Sequence, residues 1–192
     1  MHDDGTSPQG PTGPRIAPVP WRRDDPPLNI FLTLAHNEDL SKGFRRLGAH
    51  LLSGGVLPAR EREIVILRVG WRCGSEYEFG QHTVIGASIG LTDGEIARLA
   101  DCGDGDWDEG DGALVALADE LCEHDVVAAD TWRTLSTRWS EAELLELLVL
   151  AGFYRMVSGM LNSAGVALEP QTPGWPSGAT PRRRAPRQEQ AS

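Results

Sequence analysis

The sequence predicts an all-α protein: a helical bundle between two polar tails. Apolar residues from about 28 to 170 recur at helical spacing, and no stretch alternates with the period of two that a half-buried strand needs. Helix starts and stops punctuate the same region. Thr92-Asp-Gly-Glu95 and Ser140-Glu-Ala-Glu143 have the form of capping boxes, and Gly54-Gly55 and Gly74 have the form of stops.

Leu28 to Ala35 reads as a short helix. Asn37-Glu38-Asp39 is a turn and cap signal for a second helix, running to about Ser53 with Phe44, Leu47 and Leu51 on one face. Pro58 sits at a first-turn position that tolerates its missing N–H, and the helix it opens reaches about Cys73. Ile64, Val65, Ile66, Leu67, Val69 and Trp71 make that helix apolar nearly all round, so it is predicted to be buried. Ser75 restarts the chain in a further helix. A short helix follows from Thr92 to Ala100, then a Gly- and Asp-rich loop over about 101–112. Ala113 to Glu123, Asp130 to Thr137 and Ser140 to Asn162 complete the set.

The chain of 192 residues suits one domain, here 28–170, with a hydrophobic fraction of 40% that is enough for a core. Residues 1–27, rich in Pro, Gly, Asp and Ser, are expected to be disordered. So is 171–192, a basic tail with Pro173, Pro176, Pro181 and Pro186 beside Arg182, Arg183, Arg184 and Arg187. A net charge of −10 disfavours nucleic acid as a partner, because phosphate neutralisation needs basic patches. No run approaches the roughly 18 apolar residues of a membrane span, and the polar, Pro-rich opening residues are not expected to act as a signal peptide. Three scattered cysteines, Cys73, Cys102 and Cys122, fit neither a disulfide framework nor a thiol zinc site, so a reducing, cytoplasmic setting is expected. No motif requires a metal.

The chemistry concentrates around Ser75, Glu78 and His82. On a helix these three fall within about 60° of one another. A hydroxyl, a carboxylate and an imidazole would share one face at a helix N-terminus, a set able to move protons near neutrality. Glu78, four residues before His82, can orient the ring. Ser75-x-x-Glu78 is equally a capping box, and the two roles compete for one carboxylate. Glu63 lies on the preceding apolar helix among Ala59, Ile66, Leu67 and Gly70. It reads either as a desolvated proton relay or as a first-turn acid paired with Arg60 or Arg62. Cys73, at a helix C-terminus, is expected to be structural, and His50, beside Leu47 and Leu51, is a further candidate neighbour of the same cavity.

The spacing Glu63, Ser75-x-x-Glu78, His82 resembles the motif of the carboxymuconolactone decarboxylase and alkylhydroperoxidase D-like superfamily. The resemblance spans about 28–168. It is strongest over Leu57-Pro-Ala-Arg-Glu-Arg-Glu-Ile-Val-Ile-Leu-Arg68 and Glu76-Tyr-Glu-Phe-Gly-Gln-His82, with Asn29-Ile-Phe and Gly90-Leu-Thr-Asp as further landmarks. It implies a helical bundle assembled as a homotrimer or homohexamer. In the peroxidase branch two thiols stand where this chain has Ser75 and Glu78, and a serine forms neither the sulfenate nor the disulfide of peroxide turnover. Retention of Glu63 and His82 points to the decarboxylase-like branch, a cofactor-free lyase acting on a small unsaturated carboxylate or lactone. In that reading His82 donates the proton, Glu78 orients it, Glu63 tunes it, Ser75 contacts the substrate, and Arg68 or Arg155 holds a substrate carboxylate. The alternatives are a non-catalytic oligomeric binding module and, less favoured, a thiol enzyme using Cys73.

Overall fold

Nine consecutive residues, Glu63 through Trp71, are buried. A helix enclosed on every side needs neighbours on every side, and this one is the axis of the fold. In the computed structural model, which describes residues 11–101, 106–179 and 181, the elements are α1 (Asn29–Leu34), α2 (Glu38–Ala49), α3 (Ala59–Arg72), α4 (Glu76–Ser88), α5 (Asp93–Leu99), α6 (Glu109–His124), α7 (Ala129–Arg138) and α8 (Glu141–Ala164). The central helix, α3, packs against α4, α6 and α8. No strand occurs among the described residues, so the predicted all-α class holds.

Local chemistry sets the boundaries. The Thr92/Glu95 and Ser140/Glu143 capping boxes both form. Asp108 accepts from the N–H groups of Gly110 and Asp111 (2.8 and 2.9 Å), so α6 begins a turn earlier than its apolar residues suggest. The α3–α4 junction is a Schellman turn. Gly74 adopts φ +60°, its N–H donates to the Trp71 carbonyl, and the Ser75 N–H donates to the Gly70 carbonyl. A Cβ at Gly70 would lie 3.3 Å from the Phe79 nitrogen, so this glycine permits the close approach of α3 and α4.

Two differences from the sequence reading concern α2. Its α-helical pattern ends at Ala49 and continues as a π-helical turn, His50–Gly54. Of the three apolar residues read on its one face, Leu51 is 2% exposed but Leu47 is 41% exposed. A third difference concerns α8, which is long and apolar enough to cross a membrane by length and composition, with an 18-residue window of mean hydropathy 1.6. Since 56% of that window is buried inside the bundle, a core helix accounts for it.

The flanking segments touch the bundle where they are described. Arg15 and Ile16 donate backbone N–H bonds to the Ala164 carbonyl, and Val19 donates to that of Leu32. Trp175, assigned by composition to the C-terminal tail, packs its indole 5.2 Å from both Trp71 and Phe79. Arg182, Arg183, Arg184 and Arg187 lie outside the described residues, as does Cys102.

Candidate functional site

Consecutive helices bring the sequence-predicted acids and imidazole together. Glu63, on α3, is 0% exposed, and Glu78 and His82, on α4, are 5% and 4% exposed. His82 Nδ1 lies 2.6 Å from Glu63 Oε2. His82 Nε2 lies 3.6 Å from Glu78 Oε2, too long for a direct hydrogen bond. Arg62 Nε donates to the second oxygen of Glu63 at 3.3 Å. The imidazole therefore sits between two carboxylates, anchored to one and facing the other. The Tyr154 ring of α8 meets it edge-to-face, with centroids 5.0 Å apart.

This geometry reverses two expected roles. Glu63, nineteen residues from His82, orients the ring; Glu78, its neighbour by helical spacing, does not. Ser75 is the N-cap of α4 but makes no capping bond, and Glu78 does not reach back to close a box. The Ser75 N–H is used by the Schellman turn, and Glu78 is turned toward His82. Ser75 is fully buried, its Oγ has no hydrogen-bond partner among the described residues, and it does not line the cavity.

That cavity has a volume of about 370 Å³ and opens beside the pair. Glu78 and His82 form its polar wall with Tyr77, Gln81 and Arg45, while Ile30, Phe31, Phe44, Leu52, Ile85, Phe153 and Val157 give it an apolar interior. Arg68 and Arg155 are not among its lining residues. Arg68 is buried in a fork on Asp119 (2.6 and 2.7 Å) and on the Leu99 and Asp101 carbonyls, and Arg155 pairs with Asp125 and the Leu121 carbonyl. His50 is exposed and also outside the lining. Among the described residues, Arg45 is the one arginine at the cavity. Its guanidinium lies 4.1 Å from the centroid of Phe31.

Spacing alone does not find Arg45, Tyr77, Gln81, Tyr154 and Glu169. Glu169, just after α8, accepts from the Asn29 N–H (2.7 Å), the Tyr77 hydroxyl (2.8 Å) and the Gln81 side chain. Tyr154 carries one legible signal, a polar-tipped ring in register with Leu150, Val157 and Leu161 on the buried face of α8.

Burial pushes the Glu78 carboxyl up to about 7, with His82 opposing and Glu63 adding to the shift. Burial alone would lower the His82 imidazole, but the hydrogen bond and charge of Glu63, with Glu78 adding, raise it above its ordinary value. Near neutral pH the cavity wall thus carries a carboxyl at its midpoint beside an imidazole whose protonated form Glu63 stabilises. Such a wall can give or take a proton at a bound molecule. Among the described residues, no group of three or more His, Cys, Asp or Glu side chains is arranged to hold a metal ion.

Residues 38–106 match the sequence profile of the carboxymuconolactone decarboxylase family. No curated protein matches the sequence significantly. Among solved structures, a cysteine-to-alanine variant of the debrominase Bmp8 in complex with 2,3,4-tribromopyrrole is similar at TM-score 0.69 and 15% identity, over 83% of this chain and 94% of that one. A protein of unknown function from Agrobacterium tumefaciens, described as an AhpD antioxidant-defence candidate, is similar at TM-score 0.66 and 17% identity, over 71% and 94% of the two chains. An uncharacterised peroxidase-related protein from Ralstonia eutropha JMP134, described as an alkylhydroperoxidase AhpD core, is similar at TM-score 0.63 and 20% identity, over 74% and 77%. The profile covers the segment holding Glu63, Glu78 and His82, and the helical fold around that segment is the one these solved structures share.

Proposed function

We propose that this chain is a cofactor-free acid–base enzyme of the carboxymuconolactone decarboxylase type, removing CO2 from a small unsaturated carboxylate or lactone. The observation that carries the reading is the imidazole anchored by Glu63 at 2.6 Å, with Glu78 opposite it on the wall of a largely apolar cavity. Breaking the bond to the carboxylate leaves its electron pair on carbon. Conjugation with the unsaturated system spreads that charge, and a proton from His82 or Glu78 then quenches it. An apolar interior suits the step, because a charged carboxylate is desolvated on entry and its loss as CO2 relieves that cost. Arg45 makes no ion pair among the described residues and can hold the substrate carboxylate or its lactone oxygen. The binding of a bromopyrrole by a debrominase of the same fold supports an assignment to small planar ring compounds.

The test is CO2 release from a panel of unsaturated carboxylates and carboxylated lactones, run in D2O so that deuterium at one product carbon reports the protonation step. Turnover by the native chain, lowered about 100-fold in a folded His82→Ala variant, supports the reading. Absence of turnover across the panel, with ring compounds still binding the cavity, favours the non-catalytic binding module instead.

We further propose homo-oligomeric assembly. Leu145, Val149 and Met156 of α8 are 63%, 42% and 54% exposed, an apolar burden that a symmetric interface would cover. Light scattering on the native chain tests this, and a monomer at micromolar concentration refutes it.

A further inference from the structure

Two thiols distant in sequence meet at the end of the central helix. Cys73 is the C-cap of α3 and Cys122 lies in the last turn of α6, with their sulfurs 4.0 Å apart. Neither lines the cavity. The two helices that carry them already pack side by side. Closing the gap to the roughly 2.05 Å of a disulfide requires about 2 Å of approach, within reach of side-chain rotation and a small helix shift. The Cys73 carbonyl is held by the Asn162 side chain at 3.0 Å, which steadies this corner.

We propose that Cys73 and Cys122 form a reversible dithiol–disulfide site, oxidised by hydrogen peroxide or a small organic hydroperoxide, with Cys73 reacting first as the nucleophile and Cys122 closing the bond. Access sets the order: Cys73 is half-buried and Cys122 buried. Electrostatics agree. The Cys122 thiol donating toward it, with Arg155 and Arg72 nearby, holds Cys73 below the ordinary thiol range against the opposing effect of burial. The same contact, with burial, pushes Cys122 up. These neighbours outweigh the unfavourable field of the α3 C-terminus, which by itself would suppress a thiolate there.

In the first step the Cys73 thiolate attacks one peroxide oxygen and the O–O bond breaks. The sulfur becomes a sulfenic acid, and the other oxygen leaves as water or an alcohol after taking a proton. The peroxide is thereby reduced by two electrons. In the second step the Cys122 thiol attacks the sulfenic sulfur, the S–O bond breaks, water leaves, and the disulfide forms. A dithiol reductant reverses the change by exchange.

The experiment treats the full chain with one equivalent of hydrogen peroxide, then alkylates it under denaturing conditions and maps its peptides. A parallel Cys102→Ser sample removes the third thiol. We expect a Cys73–Cys122 crosslink in both samples, reversed by dithiothreitol, and a Tm higher than that of the reduced chain by about 5–15 °C. In a Cys122→Ser variant, dimedone should trap Cys73 as its sulfenic acid. Full alkylation of both cysteines after peroxide, or a crosslink running instead to Cys102 or to a second chain, overturns the proposal.

Discussion

Replacing Glu78 by Gln should make the protein more stable at neutral pH, by an amount that grows as pH rises. Glu78 titrates near 7 in the folded protein against an ordinary value of 4.5. The folded state therefore holds this proton more tightly than the unfolded chain does. The stabilisation is full below about pH 4.5 and is lost as pH rises through about 7. Integrating between those limits gives a loss of about 3 kcal/mol. Glutamine keeps the shape of the neutral carboxyl and cannot ionise. The difference in unfolding free energy between the variant and the native chain should thus be nearly flat at pH 4. It should climb through pH 5–7 and level off in the variant's favour by about 3 kcal/mol above pH 8. The assay is urea denaturation at matched protein concentration across that range, so that any assembly contributes equally to both chains. A difference curve without slope would refute the reasoning, because it would mean that Glu78 is solvated or ion-paired in the native state.

Glu63→Gln should weaken the hold on His82 Nδ1, and NMR titration of the ring should then show a lower pKa than in the native chain. Ser75→Ala should cost less than the roughly 1 kcal/mol of a lost cap, because the buried hydroxyl makes no capping bond; thermal unfolding decides it. Trp175→Ala removes two aromatic contacts with the core and should cost about 2 kcal/mol, lowering Tm by about 4–8 °C. Arg45→Ala should raise KM for a carboxylate substrate at least tenfold with little change in kcat, since the guanidinium would hold substrate rather than transfer a proton.

The fold is readable because its signals are local. A buried helix declares itself by being apolar all round, as α3 does, and capping boxes at Thr92 and Ser140 mark their own helices. The acid–imidazole pair is readable for a different reason: it lies on two consecutive helices joined by a tight turn, so a short spacing encodes a spatial contact. Roles within the pair are less legible. Helical spacing favours Glu78 as the orienting acid, but the approach of α3 and α4 across Gly70 puts Glu63 at Nδ1 instead. The rest of the cavity comes from α1, α2 and α8, far from His82 in sequence. Nothing local distinguishes Arg45 from the other exposed arginine of α2, and the proximity of Cys73 to Cys122 depends wholly on how α3 meets α6.

Glu169 turns the segment beyond α8 into a working part of the chamber. Three donors from two distant stretches of chain converge on its single carboxylate. Proteolytic nicking just before it would strand all three and loosen Tyr77 and Gln81 in the cavity wall, while leaving Glu63, Glu78 and His82 on intact helices. Capture of ligand would then fail before the proton chemistry did, and an occupied chamber should in turn shield that stretch from a protease.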